Sequence, residues 1–281
     1  RIQNRSWYDK TSGEKKYRTE IIADSVQFGP KSGGAPSVGG EGYAAKPTGN
    51  ATPFKIAFLA DQEMNNNSRA VLQLVKRQNA EAVFHQGDLA YSSNISGWCA
   101  MITQELGSAF PYFASPGNHD EGDWDEYKSV LEPRAAQSTG FTVSGDYGIN
   151  STVRYKDLIV VLSGIDVLGS GHVAYMDQQL ANAQERWKVV SWHKNMHDMQ
   201  VGGKGDETGW EVYQTAMRRG AIIATGHEHS YGRTYSMTQI GNKAANHGAF
   251  GSPNKIVVAK DTTFVFVSGL ANFYIVCGAD G

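Results

Sequence analysis

From residue 54 onward, apolar runs of strand length alternate with stretches of helical character, and this alternation constrains the fold more than any other feature of the chain. Phe54 to Ala60 reads as a strand, Ser68 to Asn79 as a helix, and Ala82 to Gln86 as a second strand. The rhythm returns with apolar Pro111 to Ser115, helical Tyr175 to Glu185, apolar Trp187 to Trp192, helical Trp210 to Arg219 and apolar Ala221 to Thr225. A strand that alternates with helices builds βαβ units, whose sheet is buried under helices. Near the C-terminus the rhythm changes. Lys255 to Ala259 and Thr263 to Ser268 read as a β-hairpin turning through Lys260 and Asp261, which adds antiparallel strands. The expected architecture is an α/β sandwich with a mixed sheet.

Composition narrows the class of function. With 40% hydrophobic residues in 281, the chain is too apolar to remain disordered, and its length is compatible with one or two domains. Lys and Arg number 26 against 28 Asp and Glu, with no basic block, so no nucleic-acid or anionic-membrane surface is expected. Apolar runs such as Leu158 to Leu162 are far shorter than the ~18 residues of a membrane helix. Two cysteines exclude a disulfide scaffold; Cys99 and Cys277 form one bridge or stay buried thiols. No internal repeat is found. Residues 1 to 28 supply a strand or two, and Gly29 to Asn50 reads as a Gly-, Pro- and Ser-rich linker, so 1–53 is an appendage and 54–281 the principal domain. Numbering opens at Arg1 without a signal-peptide pattern, while Asn4, Asn50, Asn66, Asn94 and Asn150 each open an N-x-Ser/Thr sequon. A secreted or periplasmic location is the expectation.

The polar residues directly after each apolar run carry the chemistry. The run at 54 ends in Asp61; that at 82 leads to Gly87, Asp88 and Tyr91; that at 111 leads to Gly117, Asn118, His119 and Asp120. Val189 and Val190 lead to His193, and Ala221 to Thr225 leads to Gly226, His227, Glu228 and His229. An isolated Asp after a strand is ordinarily a turn or cap residue, and an isolated Tyr there is ordinarily packing. Five such ends differ from one, because an open α/β sheet binds ligands outside the carboxyl ends of its strands. Carboxylate, amide oxygen and imidazole together suit Mn, Fe or Zn. The donors exceed what one tetrahedral ion takes, which points to two ions sharing a carboxylate. Such a pair binds an ester from both sides and lowers the pKa of a bridging water.

These motifs, Asp61, GDLAY at 87–91, GNHD at 117–120, VSWH at 190–193 and GHEHSYGRT at 226–234, resemble in order those of the calcineurin-like metallophosphoesterases, closest to the purple acid phosphatase branch. SGLA at 268–271 resembles the end of the family core. The resemblance implies a four-layer α/β/β/α fold and a dinuclear site. By it Asp61, Tyr91 and His229 hold the first ion, Asp88 bridges, and Asn118, His193 and His227 hold the second, the ions being Fe paired with Fe, Mn or Zn. His119 is the implied catalytic group at the phosphoryl oxygen or leaving group, with His197 assisting and Lys194 offsetting phosphate charge. A hydroxide bridging the ions is the implied nucleophile on a phosphate monoester or diester. The chain departs from the branch at Asp120, where Glu is usual, at KNMHDM after His193, and at Gly232. These departures leave open a non-phosphate substrate such as an acidic polysaccharide, and a metal-containing binding protein without turnover. Elsewhere, His85 reads as a satisfied histidine, either of the core or supporting a metal ligand, and His172 and His247 as surface residues. The glycine-rich 199–210 reads as a loop in which Asp206 or Thr208 caps the next helix, and Trp98, Trp124, Trp192 and Trp210 read mostly as core.

Overall fold

The computed structural model describes residues 2–8, 15–21, 53–241, 245–252, 256–269 and 272–277. Strands β1 (Ile2–Tyr8) and β2 (Lys15–Ile21) pair antiparallel, in keeping with the strands expected before residue 28. The Gly29 to Asn50 linker, Leu270 and Ala271 of the SGLA motif, and the Cys277 side chain lie outside the described residues; Cys99 is a partly buried free thiol.

The expected alternation is realised as β3 (Phe54–Leu59), α1 (Asn66–Arg77), β4 (Ala82–His85), α2 (Ile95–Leu106), β5 (Tyr112–Ala114) and α3 (Trp124–Ala136). A meander of β6 (Phe141–Asp146), β7 (Asn150–Tyr155) and β8 (Leu158–Ser163) follows. Then come α4 (His172–Ala181), β9 (Trp187–Ser191), α5 (Glu211–Arg218), β10 (Ile222–Thr225), β11 (Tyr231–Arg233), β12 (Val265–Ser268) and β13 (Asn272–Cys277). Helix α1 shows how local chemistry fixes an element. The Asn65 side chain accepts from the amides of Asn67 and Ser68, satisfying two orphan donors, and Ser68, Leu72 and Val75 bury one face.

Two mixed sheets result. One runs β11-β12-β10-β9-β8-β7-β6, parallel through β8, β9, β10 and β12 and antiparallel at both ends; the other runs β13-β3-β4-β5. Alternating side chains sort into two cores. Leu158, Val160, Leu162, Val189, Ile222, Ala224 and Phe266 join the cluster of the second sheet and helices α1 to α3. Their neighbours Ile159, Val161, Val190, Ile223 and Val265 pack instead with α4 and α5. The layers are therefore α/β/β/α, as the motif resemblance implies.

The expected C-terminal hairpin does not form. Residues 256–259 make no strand, and β12 is flanked by β10 on one side and by antiparallel β11 on the other. Lys260 and Asp261 do turn, closed by the amide of Thr262 on the carbonyl of Ala259, but the turn feeds β12 from a loop. Trp98, Trp124 and Trp192 are fully buried. Among the described residues no helix is long and apolar enough to cross a membrane.

Candidate metal centre

Asp61, Asp88, Tyr91, Asn118, His119, His193, His227 and His229 lie beyond the carboxyl ends of β3, β4, β5, β9 and β10. The two sheets meet at this rim, where Ala60 donates to the Ser268 carbonyl and Ser115 Oγ to the Ser191 carbonyl. Short strands followed at once by tight turns aim the side chains inward, and the turns have an unusual backbone. Asp61, Asp88, Tyr91 and His227 sit at φ 53, 58, 54 and 71, left-handed values that cost of order 1–3 kcal/mol each outside glycine. Gly117 is required at its position, because a Cβ there would overlap the Asp88 carboxylate and amide.

Two groups of donor atoms come together. In the first, the Tyr91 hydroxyl lies 2.9 Å from Asp61 Oδ1 and 2.8 Å from His229 Nε2, and His229 Nε2 lies 3.5 Å from Asp61 Oδ1. In the second, Asp88, His193 and His227 offer ligand atoms within 4.8 Å of one another. His193 Nε2 lies 3.2 Å from Asp88 Oδ2 and 3.1 Å from His227 Nδ1. Asn118 follows Gly117, whose Cα packs against the Asp88 carboxylate, and its Oδ1 is buried with no hydrogen-bond partner among the described residues, as expected of a donor kept for a cation. The tautomer of His193 fits as well. Its Nδ1 lies 2.7 Å from the Gln86 carbonyl, which holds a proton there and leaves Nε2 for a cation; without a cation, burial lowers the ring's pKa but the Asp88 carboxylate at Nε2 outweighs it and raises the pKa. Asp88 lies between the groups, since it contacts His193 in one and its charge acts on the Tyr91 phenol in the other. The residues present therefore suit a pair of metal ions.

Electrostatics follows from burial and crowding. Burial is the largest influence on Asp88 and would raise it, but the hydrogen bond and charge of His193 and the His119 amide hold it below the ordinary carboxylate range. Burial and the neighbouring Asp88 charge push Asp61 up, against His193 and Tyr91. Burial lowers His227 to about 3, with His193 and Lys204 adding to the effect. Burial first, and then Asp61 and Asp88, keep the Tyr91 phenol protonated; a bound cation offsets those two carboxylates and reverses that logic.

Asp120, the departure from Glu, is a clamp. Its carboxylate accepts the amides of Asp88 at 2.7 Å, Gly117 at 2.8 Å and Leu89 at 3.0 Å, tying the GDLAY loop to the GNHD loop. His119 is exposed at the mouth, its ring 4.6 Å from that of Tyr91 and its amide on Asp88 Oδ1. Lys194 lies beside the site, but its charge is shared between Asp166 at 3.3 Å and Glu207 at 3.9 Å. His197 is exposed, with its Nδ1 on the Lys204 carbonyl at 2.9 Å, and no contact with a metal-ligand candidate is found among the described residues.

The profile of the calcineurin-like phosphoesterases matches residues 54–231. The chain belongs to that family. No curated protein sequence matches it. Among solved structures, the purple acid phosphatase PPD1 from seeds of yellow lupin (Lupinus luteus) is similar at 16% identity and a TM-score of 0.54, over 81% of this chain and 46% of the lupin chain. PhoD matches at 13% and 0.42, over 79% and 57% of the two chains, and GAP50 of Plasmodium at 12% and 0.48, over 79% and 80%. The chain thus spans about half the length of the first two. The lupin likeness shows a shared fold, in accord with the motif order.

Several expectations change in detail. His85 is fully buried but neither ring nitrogen has a hydrogen-bond partner, so it is not the satisfied histidine expected. Neither Asp206 nor Thr208 caps α5, whose cap position is Trp210 with no side-chain bond; Asp206 instead accepts the His197 amide. His172 and His247 are half-buried, on Asn150 and against Trp210. Nothing in the sequence marks Glu207 or Lys204, which lie in the glycine-rich loop, yet both touch His227.

Proposed function

We propose that this calcineurin-like phosphoesterase is a dinuclear metal-dependent hydrolase of phosphate esters. The observation that carries the reading is the presence of two donor groups, Asp61–Tyr91–His229 and Asp88–His193–His227, on one sheet rim, with the buried, unpartnered Asn118 Oδ1 in the loop that packs on Asp88. Bound there, Fe with Fe, Mn or Zn would acidify a water nucleophile and offset charge on the phosphoryl oxygens. The chain's own residues do the rest. Gln86 and Asp120 fix the ligand loops through backbone hydrogen bonds, so that the donors are placed before a substrate arrives. His119, exposed at the mouth and steadied on Tyr91, is placed to donate a hydrogen bond to a phosphoryl oxygen or a proton to the leaving oxygen. Lys194 and His197 serve the substrate only from the rim, and Lys194 with its charge already balanced by carboxylates.

The test is hydrolysis of an aryl phosphate monoester and of a bis-aryl diester, with metal content measured on the same samples. Wild type with two ions per chain should turn over at least one of them, and Asn118→Ala or His227→Ala should lower both turnover and metal content. Unchanged turnover in the metal-replete variants would overturn the reading. Turnover of an acidic polysaccharide and of neither ester would move the site to a non-phosphate substrate, and no turnover at all would leave a binding protein.

A further inference from the structure

We infer that Glu207 is a positioning residue for the second metal ion, acting through His227; this rests on the dinuclear reading above. The glycine-rich loop between β9 and α5 reaches back over the ligand loop after β10. Gly202 takes a backbone φ of 151 that other residues rarely adopt, and Ser230 Oγ donates to the Val201 carbonyl at 2.9 Å. From this loop two side chains converge on one histidine. Lys204 Nζ donates to the His227 carbonyl, and Glu207 Oε2 lies 3.0 Å from His227 Nε2. The contact has ion-pair distance without hydrogen-bond geometry, and Oε2 is buried with no hydrogen-bond partner among the described residues, so His227 Nε2 is the donor within reach of it. The Glu207 backbone is itself anchored, its amide on the Asn195 carbonyl at 3.1 Å.

The chemistry follows from the two ring nitrogens of His227. Nδ1 faces His193 Nε2 at 3.1 Å, within the donor group of Asp88, so it is the nitrogen that must keep its lone pair for a cation. The ring proton must then sit on Nε2, where a buried carboxylate oxygen is the one partner in reach among the described residues. Glu207 thereby selects the tautomer, fixes the ring plane and raises the basicity of Nδ1. The Gln86 carbonyl does the same for His193 from the opposite nitrogen. Two adjacent imidazoles are set with opposite tautomers, so the two bare nitrogens lie 3.1 Å apart, with Asp88 Oδ2 3.2 Å from that of His193.

Outer partners of this kind typically change metal affinity by about 10- to 100-fold. The experiment uses the full chain and zinc alone as the probe, with dissociation constants from competition against a chromophoric chelator. Glu207→Ala should weaken the second zinc by about 10- to 100-fold and leave the first within about threefold, and Glu207→Gln, whose amide oxygen still accepts, should recover most of the loss. Equal zinc affinity in wild type and Glu207→Ala would overturn the inference. If Glu207→Ala fails to fold, long-range 1H–15N correlation spectra of wild type decide: His227 protonated on Nε2 supports the inference, and protonation on Nδ1 overturns it. Fewer than two zinc ions on wild type would instead overturn the dinuclear reading, and the tautomer measurement would still judge Glu207.

Discussion

His85 offers a sharp test of how burial controls stability here. It is fully buried on the helix-facing side of β4, its ring 6.1 Å from that of Tyr112, and neither nitrogen has a partner among the described residues. Burial, with the charge of His193 adding, lowers its pKa from 6.5 to about 3. In the unfolded chain the group returns to its ordinary value. Between those two values the unfolded state binds the extra proton and the folded state does not. Stability therefore falls as pH drops through 6.5, and the loss is complete only below about 3. At about pH 4.5 the two values give a cost of about 2.5 kcal/mol relative to pH 7, and the limiting cost is about 5 kcal/mol. Against a typical total of about 5–15 kcal/mol, that decides whether the acid form stays folded.

Replacing His85 with Leu removes the titration and two unpaired buried nitrogens while filling similar space. Urea unfolding of metal-free wild type and His85→Leu at both pH values isolates the effect. Asp120, raised by burial to about 7, and His227 also change protonation in this range, but they are common to both proteins and cancel in the difference. The variant should match or exceed wild type at pH 7 and be less sensitive to acid by about 2.5 kcal/mol. Parallel losses in the two proteins would refute the reasoning, and would mean that His85 finds a proton acceptor when the pH falls.

Asp120→Ala strands three buried amides, those of Asp88, Leu89 and Gly117, each worth about 1–3 kcal/mol when unpaired. It should lower the unfolding free energy by about 3 kcal/mol or more, and Asp120→Asn by less, because an amide oxygen still accepts; equal losses in urea melts would refute the clamp. Tyr91→Phe removes one donor of the first group and relieves the crowding of a phenol between two carboxylates. Elemental analysis should show one ion retained and one lost, with thermal stability of the metal-free protein unchanged or raised.

The strand and helix alternation and the five strand ends could be read from the sequence because both rest on short-range patterns: apolar runs of strand length, and a polar residue directly after each. Helices α2 and α3 and strand β6 are harder to see. Pro133 interrupts the helical pattern of α3, and β6 is mostly exposed or half-buried, so neither carries the contrast that marks an amphipathic element. The C-terminal hairpin failed for a different reason. A run such as 256–259 becomes a strand only if a sheet edge is free beside it, and β11 already holds the free edge of β12. Glu207 and Lys204 escaped because their role depends on a loop crossing back to a residue 20 or more positions later.

The left-handed turns explain why the centre is built as it is. Four ligand candidates at positive φ together store several kcal/mol of strain, of order 1–3 each, before any ion binds. Strain of that size persists only if other contacts over-determine the backbone, and the contacts are on hand. Asp120 grips the turn holding Asp88, while Asp61 Oδ2 accepts the amide of His227 at 3.0 Å, so one strained ligand steadies another. The amide of Asp61 in turn lies on the Gly87 carbonyl, which closes the circuit between the loops after β3, β4 and β10. None of these bonds uses a metal atom. The donors are therefore held by the protein's own backbone network, and binding energy from the ions need not be spent on assembling them.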